Sequence, residues 1–360
     1  MKRVYNFNAG PAALPKQVLQ RAQEELLDFQ DAGMSVMELS HRSKEYEKVH
    51  QKAATLLKEL LHIPVDYDIL FMQGGASLQF SAIPLNFLSK GKTANYSLSG
   101  SWSEKALKEA EKIGSTHVAS TAKNTDYTTI PSQLELSEEA AYLHLTSNNT
   151  IFGTQWREFP SLPSYIPLIA DMSSDILSRA INVKDFSLIY AGAQKNLGPS
   201  GVTVVIIKKE LLKNCPDNIP TMLNYQTHAK NKSLYNTPPT FSIYMLSLVL
   251  EWVSEQGGVE AIEKINLEKA NLLYDTIDQS GGFYIGHAEK VARSHMNVTF
   301  NLSSEELTSV FLNQAKEEGF VGLAGHRMVG GCRASIYNAV PLESCQALAE
   351  FMKRFQTNYR

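Results

Sequence analysis

The sequence predicts an α/β protein: a large domain with a mainly parallel seven-stranded sheet covered by helices, then a smaller C-terminal α+β domain. Three observations carry this. Short apolar runs recur at Ile69–Met72, Thr93–Ser97, Thr116–Ala119, Ala141–Thr146, Ile166–Ala170, Ser187–Tyr190 and Val202–Ile207. Most are continuous rather than alternating, as in strands buried on both faces. Several intervals between them are long enough for the crossover helices that parallel strands need. Beyond residue 258 the pattern changes to a few helices and two strand-like runs.

Taken in order, residues 16–30 read as a helix, with Leu19, Ala22, Leu26 and Phe29 at helical spacing and Pro15 at the start. Residues 43–61 repeat the pattern through Tyr46, Val49, Ala53, Leu56 and Leu60. A helix-like stretch opens at Gly75, and Pro84 is expected to interrupt it. Phe241–Gln256 reads as a long helix stopped by Gly257-Gly258. A second helix is expected from Val259 to Asp278, a strand at His295–Leu302, and a helix opening at Ser303 with Glu306 as its capping-box partner. A last strand, Arg333–Tyr337, precedes a helix starting near Pro341. The expected domains are therefore 16–258 and 259–360, joined by the N-terminal segment 1–15.

The chain has 360 residues, 43% apolar and 20% charged, which excludes wholesale disorder. Thirty-four Lys and Arg against thirty-seven Asp and Glu leave a net charge of −3, with no broad footprint for nucleic acid. No window approaches eighteen consecutive apolar residues, so no membrane span is expected. The start, Met1-Lys2-Arg3, is basic but lacks the apolar run of a signal peptide. Cys215, Cys332 and Cys345 are too few and too scattered for a disulfide framework or a zinc site. A cytoplasmic protein without a metal is the expectation.

The most informative segment runs from Ser187 to Ile207, where Lys195 sits in a small-residue loop between two apolar strands. A lysine placed there loses solvation, and a neutral amine forms Schiff bases with aldehydes. The plainer reading is a loop lysine reaching solvent. Asp171 ends another strand, where a carboxylate can pair with a protonated pyridine nitrogen; its plainer reading is a helix cap. Gly74-Gly75 follows a strand and opens a helix, a setting that suits a phosphate but also an ordinary turn. Trp102 and Thr150 follow two more strands, placed to stack on a flat heterocycle and to donate to a ring hydroxyl. Singly each is better read as structural. Together they put five candidate contacts at successive strand ends of one sheet.

These residues, with five longer motifs, resemble the class V pyridoxal-phosphate-dependent aminotransferases of fold type I. Within that family the chain is most similar to the branch acting on a phosphorylated serine. The motifs are Asn6-Phe-Asn-Ala-Gly-Pro-Ala, Leu39-Ser-His41-Arg42, Tyr190-Ala-Gly-Ala-Gln194-Lys195 through Gly201, Tyr235-Asn236-Thr237-Pro-Pro-Thr, and Gly325-His326-Arg327 through Arg333 to Ala339. They span essentially the whole chain in order.

The resemblance implies pyridoxal 5'-phosphate as cofactor, with Lys195 forming the Schiff base and moving the proton between the substrate α-carbon and C4′. It implies that Asp171 pairs with the pyridine nitrogen, Trp102 stacks on the ring and Thr150 contacts its hydroxyl. Ala76, Ser77 and Gln194 would hold the phosphate, completed by Asn236 and Thr237 from the neighbouring subunit of a homodimer. Arg333 would bind the substrate α-carboxylate. His41, Arg42, His326 and Arg327 would bind the distal anion, part of the set reaching across the dimer. The substrates implied are glutamate, 2-oxoglutarate, phosphoserine and 3-phosphohydroxypyruvate, in serine biosynthesis. The phosphorylated four-carbon substrate of pyridoxine synthesis, 4-phosphohydroxy-L-threonine, stays open as another. Some members carry an arginine where this chain has Ser77.

Two other readings stand beside this one. A desulfurase of the same family would need a nucleophilic cysteine, for which Cys332 and Cys215 are the choices. A non-catalytic sensor would keep the fold but is expected to lack Lys195 or Arg333, and both are present.

Overall fold

A computed structural model of the chain describes residues 3–360. Its centre is a seven-stranded sheet in the order Tyr67–Met72, Thr203–Lys208, Leu188–Gly192, Leu168–Asp171, Ala140–Thr146, Thr93–Leu98, Thr116–Thr121. Each of the seven apolar runs forms one of these strands, within a residue or two of its expected ends. Leu168–Asp171 and Leu188–Gly192 are buried throughout, as continuous apolar runs require. Thr203–Lys208 is antiparallel to both neighbours, while the remaining pairings are parallel. Residues 193–202 form turns rather than a crossover helix, so the chain reverses there, as a short link dictates. That reversing link carries Lys195.

Parallel strands share one polarity, so the loops after Met72, Leu98, Thr146, Asp171 and Gly192 open at one edge of the sheet. Helix Gly75–Phe87 and helix Ser101–Glu111 pack with the aromatic face of the sheet, around Phe80, Tyr96, Tyr142 and Tyr190. The other face packs against Lys44–Leu60 and Thr240–Glu255, through Ala53, Leu57, Ile243, Leu246 and Leu250.

Three expectations about helices need correction. The first helix covers only Lys16–Glu24. The chain leaves the helix at Glu25 and passes through a turn and bends to Gln30, which takes positive φ. Of the apolar positions assigned to this stretch, Ala22 and Phe29 are buried and Leu19 and Leu26 are exposed, with Val18 taking the inward place. Pro84 does not end its helix, which runs Gly75–Phe87. Burial of Phe80, Ala82, Ile83 and Phe87 in the core beside the sheet keeps that helix continuous through a missing N–H. The helix expected to open at Ser303 is capped one residue later: Ser304 Oγ accepts from the Leu307 N–H, and the helix is Glu305–Glu317.

A second core gathers Phe7 and Ala13 from the N-terminal segment with Leu273, Phe300, Phe311, Leu348 and Phe355. It rests on a three-stranded antiparallel sheet of Ile285–Gly286, Asn297–Asn301 and Cys332–Ser335. The strand Tyr5–Asn6 pairs with Phe320–Val321, which brings the N-terminal segment into this unit. Helix Gly258–Asp278 begins where the sequence places the domain boundary and serves both cores. Val259 and Ile262 pack into the first, and Ala270, Leu273, Tyr274 and Ile277 into the second.

Candidate active site

At the open edge of the sheet lies a cavity of about 430 Å³. Its walls include Ala76, Ser77, Trp102, Thr150, Asp171, Gln194, Lys195, His326 and Arg333. They arrive from several strand ends and turns, for local reasons. Gly74 caps the helix Gly75–Phe87 with φ of 85°, where a Cβ would lie 2.6 Å from that of Leu78. The chain therefore turns tightly, and Ala76 and Ser77 line the cavity from the first turn, where helix N–H groups have no intrahelical partner. Ser103 holds the next loop: its hydroxyl accepts from the Ser99 and Gly100 N–H groups at 3.1 and 3.2 Å. This fixes Trp102, whose Nε1 donates to Thr150 Oγ1 at 3.0 Å.

Asp171 is buried at the floor, where Ser173 donates to Oδ1 from its N–H at 2.9 Å and its hydroxyl at 2.6 Å. Burial pushes the Asp171 pKa up, against the opposing pull of Ser173 and the Lys195 ammonium. Lys195 is half-buried, with Nζ 5.8 Å from the centre of the Trp102 ring. Burial pushes its pKa down to about 8; Asp171 works the other way and the Arg333 charge adds to the fall. Arg333 donates from Nη1 to the Thr150 carbonyl at 2.9 Å and keeps a buried Nε without a partner. The hydroxyl of Thr146, on the cavity wall, is likewise buried without a partner.

The cavity does not gather the whole expected set. His41, Arg42, Asn236, Thr237 and Arg327 are not on its wall. Arg42, Thr237 and Arg327 are exposed, and the Thr237 carbonyl accepts from Gln73 beside the glycine turn at 3.3 Å. Ala9, Gly10, Asn148, Ser173 and Ser174 line the cavity without having been singled out by role. Ala9 and Gly10 lie inside the Asn6–Ala12 motif, so the sequence carries a signal for them. Asn148 lies within the Ser147–Gly153 segment around Thr150, and Ser173 and Ser174 directly follow Asp171.

The family model described as aminotransferase class-V matches residues 4–348. A phosphoserine aminotransferase of Halalkalibacterium halodurans is 67% identical over the full length of both chains. The chain belongs to the phosphoserine aminotransferases, a branch of class V. The solved phosphoserine aminotransferase from Bacillus circulans subsp. alkalophilus covers the whole of both chains at 57% identity, with a TM-score of 0.99. A phosphoserine aminotransferase from Trichomonas vaginalis, solved with pyridoxal phosphate bound, is 39% identical over 98% of this chain and 100% of its own, with a TM-score of 0.93.

Members of this family use pyridoxal 5'-phosphate, and the residues lining the cavity fit it. A helix N-terminus, the buried Asp171 carboxylate and the Trp102 indole line the cavity, together with Thr146 and Arg333, whose hydroxyl and Nε are buried without partners. The cysteine-based alternative finds no support. Burial pushes Cys215 up to about 11 and Cys332 up to about 12, so neither is a ready thiolate, and neither lines the cavity.

The depressed Lys195 pKa has a measurable consequence. Only the neutral amine attacks an aldehyde, so cofactor uptake by the cofactor-free chain should speed up roughly tenfold per pH unit up to about 8 and then level off. Stopped-flow absorbance of reconstitution across pH 6–10, at fixed pyridoxal phosphate, reads this directly. A rise that continues to the usual lysine range would show that Lys195 is not desolvated.

Proposed function

We propose that this chain interconverts 3-phosphohydroxypyruvate plus L-glutamate and O-phospho-L-serine plus 2-oxoglutarate, the family reaction, with the residue roles that follow. The carrying observation is the convergence of Lys195, Asp171, Trp102, Thr150 and Arg333 on one cavity. When bound, pyridoxal phosphate supplies an aldehyde that takes up the amino group and a ring that spreads the electrons left on the α-carbon. Asp171 holds the proton on the ring nitrogen. Trp102 covers one face of the ring, and Thr150 reaches its hydroxyl. The first-turn N–H groups at Ala76 and Ser77, with Gln194, bind the phosphate. Lys195 would take the substrate α-proton and deliver it to the former aldehyde carbon, on the other side of the shared nitrogen. Arg333 binds the α-carboxylate with its planar fork.

His326 lies at the cavity, with His41, Arg42 and Arg327 outside its wall. In this reading a second copy of the chain completes the distal-anion site and brings the partner subunit's Asn236 and Thr237 to the phosphate. A pocket of this charge discriminates against substrates without a distal anion. The free, buried cysteines fit a reducing cytoplasm, and among the described residues no helix is long and apolar enough to cross a membrane.

The direct test is the cofactor's visible absorbance during titration with O-phospho-L-serine. Loss of the band, and its return with 2-oxoglutarate, is expected. A band unmoved by phosphoserine would retire the substrate assignment. Shared sites make a second prediction. Lys195→Ala and Thr237→Asp, each weak alone, should regain roughly a quarter of wild-type activity on co-expression. Random pairing makes half the dimers hybrids, and each hybrid holds one intact site. No recovery would place Thr237 outside the partner's site.

A further inference from the structure

Beneath the cavity, one face of the sheet carries a run of buried polar rings that the roles above leave unused. Side chains alternate along a strand, so His144 lies on the same face as Thr146, which is paired with Asp171, and Asp171 is paired with Tyr190. His144 and Tyr190 are fully buried, and His144 Nε2 lies 2.8 Å from the Tyr190 hydroxyl. Tyr190 is the register neighbour of Asp171 on the adjacent strand, and its hydroxyl favours the ionised form of that carboxylate. His144 Nδ1 is buried with no partner.

These constraints select one direction for the protons. If Tyr190 donated to His144, the ring proton would sit on Nδ1 as an orphaned buried N–H, and Asp171 would face a lone pair. If His144 donates from Nε2, the Tyr190 O–H points at Asp171 and only an acceptor is left unmade on Nδ1. Orphaned buried donors are rarer than under-satisfied acceptors, so the second arrangement is the stable one. We infer that His144 and Tyr190 form a donor relay, His144 to Tyr190 to Asp171, that positions the Asp171 carboxylate and keeps the proton on the cofactor's ring nitrogen.

The surroundings keep this relay neutral. Burial pushes the His144 pKa down to about 3 and the Tyr190 pKa far up. The Tyr96 ring packs on His144 at 5.1 Å, Phe80 meets Tyr190 edge-on, and Tyr96 and Tyr225 are the other titratable groups near Tyr190. Around Asp171 stand Ser173, Tyr190 and Lys195, with Asp175 nearby. The relay is therefore a fixed dipole rather than a pH switch. Both of its members are positioning residues, and the inference rests on Asp171 being the partner of the ring nitrogen.

The test uses the cofactor-loaded enzyme and follows the pH midpoint of its visible band, with no substrate present. A ring nitrogen that loses part of its proton withdraws fewer electrons, so the titrating cofactor nitrogen becomes more basic. Tyr190→Phe and His144→Leu should each move the midpoint up by roughly half to one pH unit, about the worth of one hydrogen bond. Asp171→Asn should move it further. His144→Gln, which restores an amide donor at the same reach, should return it near wild type. Tyr190→Phe should add nothing in the Asp171→Asn background.

A midpoint unchanged by Tyr190→Phe while Asp171→Asn shifts it would overturn the relay and leave the Asp171 role standing. Additive shifts in the double variant would overturn the relay as well. No shift with Asp171→Asn would overturn both. Should His144→Leu fail to fold, Tyr190→Phe and the double variant decide the matter, with thermal melting as the check on integrity.

Discussion

Lys195→Ala is expected to lower turnover with phosphoserine and 2-oxoglutarate by at least about a thousandfold, since it removes both the nucleophile and the group that moves the α-proton. The fold should survive. The backbone at this link is held independently of the side chain: the Ala12 N–H donates to the Gln194 carbonyl at 2.9 Å, and the Asn338 N–H donates to Asn196 Oδ1 at 3.0 Å. Melting temperature should therefore move by only a few degrees. Single-turnover kinetics separate the two steps: transfer to the substrate should stop even where the variant still binds the cofactor by its phosphate. More than a tenth of wild-type turnover would take Lys195 out of this role.

Arg333→Ala is the second large effect. Truncating one partner of a buried charge-assisted pair costs about 2–5 kcal/mol, roughly thirtyfold to several thousandfold in kcat/KM. Arg333 is already anchored to the Thr150 carbonyl through Nη1, and its Nε waits unpartnered. The guanidinium is thus pre-set before any carboxylate arrives. Every amino acid has an α-carboxylate, so glutamate and phosphoserine should suffer alike. Arg42→Ala should instead penalise phosphoserine far more than an amino acid with no distal anion. Steady-state kinetics on three donors (phosphoserine, glutamate, alanine) compare the variants. Equal losses across all three for Arg42→Ala would remove that residue from the distal site.

What the sequence makes legible is whatever a short window contains. The seven strands are readable because most are continuous apolar runs, and the strand-end residues because a parallel sheet sends its loops to one edge. The capping of Glu305–Glu317 is misread by one residue because Ser303 and Ser304 are adjacent and only backbone geometry chooses between them. Pro84 looks like a stop because the packing that overrides it comes from the sheet, far off in sequence. The orphaned Thr146 and Arg333 donors and the His144–Tyr190 contact depend on strand pairing across dozens of residues, which no local pattern records.

Helix Gly258–Asp278 has a thermodynamic meaning as well as a structural one. Its first turns fill one hydrophobic core and its last turns the other. Loosening it exposes apolar surface in both, so the free energies of the two cores are coupled rather than merely summed. The chain should melt in one cooperative step, and a fragment cut at residue 258 would carry away a helix whose Val259 and Ile262 had lost their partners.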